Sequence, residues 1–312
     1  MRVIFMGTPD FSVPVLTTLV EGGYDVVAVY TKTDKPSGRG RHNTASPIKH
    51  QAQKLGLHIE EPITFKDAAV VEHMATFEPD ITVVASYGHI LPKSVIDMPK
   101  IGCLNIHPSL LPKYRGPSPV ASAVLNGDSK TGVTVMTVLP KVDSGHILAQ
   151  TETKIGLSDT TAALTPKLFE IGARLLINTI PGWVKGDIVA QPQDESMVTY
   201  SRTFAKDDGR IDWSAPAQHI ARMVCAFDPW PGCYTTLGGK ILKIIEATAI
   251  SVETTDLKAG QIIELNDCDG NVGVVTGNGV LVLNKVQMAG KRPMPITDFT
   301  RGQHEFIGSI LQ

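Results

Sequence analysis

Residues Cys103–Gly116 read CLNIHPSLLPKYRG, and the architecture turns on how this stretch is read. Cys103 to Ile106 is apolar apart from Asn105, too short for a helix and suited to a buried strand. The run then breaks on a polar pair, Asn105 and His107, and Pro108 and Pro112 stiffen the next residues ahead of the basic tail. A strand interior has little use for both an amide and an imidazole, since each buried polar group must find a partner. The expectation is a strand that ends at a site.

Working outward, apolar bursts alternate with helical stretches, as a parallel sheet with helical crossovers requires. Strands are expected over Arg2–Met6, Asp25–Thr31, Leu57–Ile59, Thr82–Ala85, Ile101–His107 and Thr131–Leu139, with His146–Ile155 as the antiparallel partner of the last. Helices are expected over Phe11–Gly22, Pro47–Leu55 and Lys66–Phe77. A long amphipathic helix is expected over Ser158–Trp183, with Ser158 as its N-cap. This is an open α/β sheet, and ligands in such sheets sit outside the carboxyl ends of the strands. Asn105 and His107 fall at such an end. Gly7-Thr8-Pro9 after the first strand lacks the G-x-G-x-x-G of a dinucleotide turn, because Pro9 and Asp10 occupy the critical places.

Beyond Phe204 the pattern changes. A helix over Ala215–Phe227 leads into Pro229-Trp230-Pro231-Gly232, where Trp230 is expected in packing. Five short strands follow, near Tyr234, Ile241–Ile245, Gln261–Leu265, Gly273–Thr276 and Val280–Val286, which fits a small β-barrel of OB type. The expected domains are 1–188 and 204–312, joined by a linker over 189–203.

The 312 residues, 42% hydrophobic and 19% charged, suffice for more than one core. No apolar run approaches the roughly 18 to 20 residues of a membrane span, and the first residues lack a signal-peptide layout, so the cytoplasm is the expected compartment. Cys103, Cys225, Cys233 and Cys268 form no CxxC pair, which suggests neither a disulfide framework nor a zinc site, and no metal is expected. The net charge of −2 carries no global mark of a nucleic-acid binder. Contact with RNA must then be local, and one segment qualifies: Lys32–Lys49, KTDKPSGRGRHNTASPIK, sets five basic residues against Asp34 alone.

Three polar features converge if the sheet reading holds: Asn105-x-His107, the loop Ser109–Ser118, and Asp143-Ser144-Gly145 after the long strand. An amide, an imidazole and a carboxylate together suit acyl chemistry. The amide donates to a carbonyl oxygen as charge grows there, the imidazole bonds that oxygen or moves a proton, and the carboxylate orients it or relays the proton. No Ser or Cys is placed as a nucleophile, so direct transfer to an amine or water is the simpler scheme. The same residues also fit a loop cap, a buried histidine and a turn.

NIHPSLLP followed by VDSG resembles the signature of the folate-dependent formyltransferases. The similarity extends over essentially the whole chain to the branch that acts on methionyl-tRNA: MGTPDFSVPVL, KPSGRG with SPIK, SYGHILPKSVI, SLLPKYRGPSP, TGVTVM, RIDWS and AFDPWPG. The resemblance implies a Rossmann-like domain followed by an OB-like barrel. It implies Asn105, His107 and Asp143 as catalytic residues, 10-formyltetrahydrofolate as formyl donor, and Ser109, Leu110, Leu111 and Pro112 as the wall against which the folate lies. It also implies initiator methionyl-tRNA as partner, reached through Arg39 of the KPSGRG loop with Arg41 and Lys35 beside it. No obligate protein partner is evident from the sequence. Three other readings stay open at this point. One is a formyltransferase acting on a sugar-nucleotide amine or glycinamide ribonucleotide, another a hydrolase releasing formate from the same folate, and the third a noncatalytic RNA-binding protein.

Overall fold

The computed structural model describes residues 1–37, 42–253, 256–265, 272–303 and 305–312. It divides into two compact units, the first comprising Met1–Pro119, Lys130–Lys154 and Thr165–Ser201, the second Val120–Ser129, Ile155–Leu164 and Arg202–Gln312.

In chain order the first part runs β1 (Arg2–Gly7), α1 (Val13–Glu21), β2 (Asp25–Tyr30), β3 (Lys35–Ser37), β4 (His42–Thr44), α2 (Pro47–Lys54), β5 (Ile59–Glu60), α3 (Ala68–Ala75), β6 (Ile81–Ala85), α4 (Lys93–Ile96) and β7 (Gly102–His107). It continues with α5 (Pro119–Asn126), β8 (Lys130–Thr137), β9 (Ile147–Lys154) and α6 (Thr161–Lys185). Seven strands form one sheet in the order β5-β2-β1-β6-β7-β8-β9. The first five are parallel, and β8 and β9 turn the edge antiparallel. Val3 to Met6 of β1 are wholly buried, as a central parallel strand covered on both faces demands. The first unit is thus an α/β open sheet.

Three local features differ from the sequence reading. The long helix starts at Thr161, and its cap is Thr160, whose Oγ1 accepts from the Ala163 N–H at 3.2 Å. Ser158 lies in the preceding turn, where Asp159 accepts from the Gly156 N–H at 2.7 Å. The segment 32–49, read in the sequence only as a basic stretch, holds a short ladder in which β3 and β4 pair antiparallel, Lys35 opposite Thr44. Arg39 and Arg41 lie outside the described residues, as does Cys268. Finally, α4 and α5 add helices before and after β7 that the periodicity did not signal.

The second unit carries α7 (Ala217–Ala226), β10 (Cys233–Leu237), β11 (Lys240–Ile250), β12 (Ile262–Glu264), β13 (Val272–Val275), β14 (Val280–Met288), β15 (Met294–Pro295) and α8 (Ile296–Arg301). Its antiparallel sheet runs β10-β11-β14-β13-β12, with β15 on β14. Register shifts around Glu246 bend β11. The last residues of the chain bridge the two outer strands: Gln312 exchanges backbone hydrogen bonds with Thr236 of β10, while Gly308 and Ser309 bond Ile262 of β12. That tail covers both edges, as a small barrel requires. Trp230 is 61% exposed rather than packed, whereas Trp213 is buried and its indole N–H donates to Thr235 Oγ1 at 3.0 Å.

Candidate active site

The two-residue alternation of β7 sets Leu104 and Ile106 on one face and Asn105 and His107 on the other. Ile106 lies against α6 at Gly172, where any Cβ would come within 2.6 Å of the isoleucine methyl. That close approach fixes the strand, and with it the direction of the polar pair.

His107 is 4% exposed, and its Nε2 lies 2.9 Å from the Tyr114 carbonyl oxygen. A carbonyl only accepts, so Nε2 carries the proton. Tyr114, with φ 61°, is in the left-handed region. The other ring nitrogen, Nδ1, faces Asp143 Oδ2 at 3.6 Å. This is too long for a direct hydrogen bond and short enough for a proton to pass through one intervening polar atom. Asn105 is half-buried, and its amide makes no hydrogen bond to another described residue. Its backbone is held in β7, and its amide is not consumed by any described residue.

Asp143 is fixed from several sides. Its Oδ2 accepts from the Gly116 N–H at 2.7 Å, and its backbone takes φ 47°. The Gln193 amide donates to the carbonyl oxygens of Asp143 and Gly145 at 2.8 and 2.7 Å. Gly145 has no alternative residue: a Cβ there would sit 1.6 Å from the Thr137 carbonyl oxygen. Behind Gln193 stands Arg115, fully buried, donating from Nε to Gln193 Oε1 at 2.9 Å and from Nη2 to Glu195 Oε1 at 2.7 Å. Lys141 also bonds Glu195, at 3.0 Å. Hydrogen bonds from Arg115 and then Lys141 hold the Glu195 carboxyl down to about 2. Residues 199–201 complete the wrap through backbone bonds between Thr199, Ser201 and Arg115.

Ser109–Pro112 is folded firmly into this frame. Ser109 is fully buried and its hydroxyl donates to the Lys113 carbonyl at 2.7 Å. Thr134 Oγ1 donates to the Ser109 carbonyl at 2.7 Å, and Gln150 donates to the Leu111 carbonyl at 2.8 Å. Their polar groups are spent internally, which leaves Leu110 and Pro112, both half-buried, as the apolar surface the segment offers. Next to the Asp143 turn in sequence, Leu139 and Val142 are exposed.

The structure therefore brings His107 and Asp143 together, sets Asn105 on the same strand face as His107, and packs Ser109–Pro112 beside β8. Of the basic residues expected on RNA, only the backbone of Lys35 is described, in β3. Gln193 and Glu195 were missed by the sequence reading. They sit in a polar stretch with no periodicity, and only the buried Arg115 they serve gives them meaning. Among the described residues the arrangement offers one amide donor without a partner, one imidazole with a single nitrogen left open, and one carboxylate facing that nitrogen.

The formyl transferase family profile matches residues 1–180, and that of the formyl transferase C-terminal domain matches residues 204–304. A methionyl-tRNA formyltransferase of Roseiflexus sp. (strain RS-1) is 47% identical over 303 residues, covering 97% of this chain and 92% of the relative. One from Marinobacter nauticus is 39% identical, covering 98% of each. Among solved structures, HypX from Aquifex aeolicus in complex with tetrahydrofolic acid superposes with a TM-score of 0.65 at 18% identity, covering 98% of this chain and 48% of that one. An N-formyltransferase from Helicobacter canadensis, in complex with folinic acid and dTDP-3-aminofucose, gives 0.66 at 18% identity, covering 94% and 100%. At those identities the two structures speak for the fold.

Proposed function

This chain belongs to the methionyl-tRNA formyltransferase family, and on that premise we propose how its residues transfer a formyl group to the free amine of methionine on initiator tRNA. The donor is 10-formyltetrahydrofolate, lying against Leu110 and Pro112 with its formyl group over the end of β7. The single observation that carries the reading is the meeting of His107 Nδ1 and Asp143 Oδ2 at the end of the strand that also presents Asn105.

The nucleophile is the neutral α-amine of the esterified methionine. A free α-amine has a pKa of about 7.7 to 8.0, so little deprotonating power is required. Attack on the formyl carbon gives a tetrahedral oxyanion, and the Asn105 amide is the donor free to stabilise it. The Nε2–H of His107 is committed to Tyr114, so this ring works through Nδ1. The amine proton passes toward His107 Nδ1, with Asp143 stabilising the imidazolium, and returns to the departing N10 of the folate as the C–N bond breaks. No covalent enzyme intermediate forms.

Lys35, Arg39 and Arg41 contact the acceptor end of the tRNA, where an arginine clamps phosphate or stacks on an unpaired base. The domain over 204–312 supplies a second RNA contact and works with 1–188 through the segment 189–203. The enzyme acts in the cytoplasm, without a protein partner. The test supplies the protein with 10-formyltetrahydrofolate and either initiator or elongator methionyl-tRNA. Formylmethionine from the initiator alone supports the reading. Formate release without formylated tRNA, or equal use of both tRNAs, overturns it.

A further inference from the structure

A second cluster of side chains stands at the opposite edge of the first unit's sheet, on β5 and α3. His58 immediately precedes β5 and Glu60 ends it, so the two-residue alternation turns both to one side. His73 lies in the last turn of α3. The Nε2 atoms of His58 and His73 converge on the same carboxylate oxygen, Glu60 Oε1, at 2.7 and 2.8 Å. All three ligand-type atoms lie within 4.8 Å of one another. From the geometry we infer that His58, Glu60 and His73 form a binding site for one divalent transition-metal ion of the zinc class.

Two imidazoles and one carboxylate are the donor types this class of ion takes, leaving a fourth tetrahedral position open. Bonds of about 2.0 to 2.2 Å to an ion between them set neighbouring donors about 3.3 Å apart. The existing nitrogen-to-oxygen separations need to open by only about half an ångström, which the side chains, all partly exposed, allow. The rings are already oriented: Phe77 lies 5.2 Å from the centroid of each, tilted to one and edge-on to the other. Backbone bonds from Val29 to the His58 carbonyl and from Thr31 to the Glu60 carbonyl anchor the short strand on β2.

The surroundings fit an open coordination position. Glu60 and His73 line a cavity of about 300 Å³ together with Tyr30, Glu61 and Val70. Within its lining, the buried Tyr30 hydroxyl and Glu61 Oε1 have no hydrogen-bond partner among the described residues. The other oxygen of Glu61 pairs with Lys49 at 2.7 Å. Unpartnered buried oxygens of this kind suit a water carried on the ion's fourth position, which can donate to the carboxylate. The ion would tie a two-residue edge strand to the helix beside it. The site shares no residue with the formylation machinery, so it stands or falls independently of that reading.

The test titrates Zn²⁺ into untagged, chelator-stripped full-length protein against a chromophoric zinc indicator. One equivalent is expected to bind in the micromolar range, to weaken by at least about tenfold in His73→Gln, and to disappear in the His58→Gln/His73→Gln double variant. X-ray absorption of the loaded wild-type protein should show two imidazoles in the first shell. Absence of a stoichiometric site, binding retained by the double variant, or a shell without imidazole overturns the proposal.

Discussion

The backbone N–H of Gly116 donates to Asp143 Oδ2 across 2.7 Å, and the same oxygen lies 3.6 Å from His107 Nδ1. The loop after β7 thus reaches back to hold the carboxylate that faces the histidine at the end of β7. Replacing Asp143 by Asn keeps an oxygen for Gly116 and removes the charge that stabilises a protonated His107. Formyl transfer in a single turnover should slow by about 10² to 10⁴, the span of general acid–base contributions, while folate affinity is unchanged. Rapid-quench measurement of formylmethionyl-tRNA checks this.

Gln193 links Arg115 to the backbone of the Asp143 turn. In Gln193→Leu the Arg115 Nε and two carbonyl oxygens lose their partner. Each buried group left unpaired costs about 1 to 3 kcal/mol, so urea unfolding should report a loss at the upper end of that range or beyond. Turnover should fall as well, measured well below the unfolding temperature, because the Asp143 turn loses two of the contacts that fix it.

Glu195 makes a prediction with a defined pH window. Its carboxyl is held down to about 2 by hydrogen bonds from Arg115 and Lys141, against about 4.3 in an unfolded chain. A depressed folded value stabilises the protein above the unfolded pKa and stops doing so as pH falls through the folded one. The Tm difference between wild type and Glu195→Gln should therefore be present at neutral pH and shrink between about pH 4.3 and about pH 2. A difference that stays constant through that interval contradicts the pairing.

Burial pushes the Cys103 and Cys233 thiols up to about 12. Only a thiolate alkylates readily, so neither should react in the native protein at pH 8, and both should react after unfolding. Peptide mapping after iodoacetamide treatment reads the two sites separately. Labelling of native Cys103 would mean that β7 is not buried as described.

Much of this was legible in the sequence because local chemistry and global position agreed. β1, β2, β6 and β7 are apolar bursts between turn residues, and NIHP marks a strand end whatever surrounds it. Ser158 and Thr160 are both hydroxyl residues near a helix start, and only the Asp159 turn decides between them. The ladder of β3 with β4 is invisible to composition, since three residues a side carry no alternation. Gln193 and Glu195 acquire their roles from Arg115, some 80 positions away in the chain. His58, Glu60 and His73 meet only in the fold, because the first two flank and end a two-residue strand and the third lies on a helix.

The most direct test is single-turnover formylation by Asn105→Ala, at saturating 10-formyltetrahydrofolate and methionyl-tRNA, with folate binding measured in parallel. Loss of one oxyanion donor predicts a rate lower by about 10² to 10³ with folate affinity retained. A variant that formylates at close to the wild-type rate would show that the amide at the end of β7 does not stabilise the reacting oxygen, and the assignment of this site would be wrong.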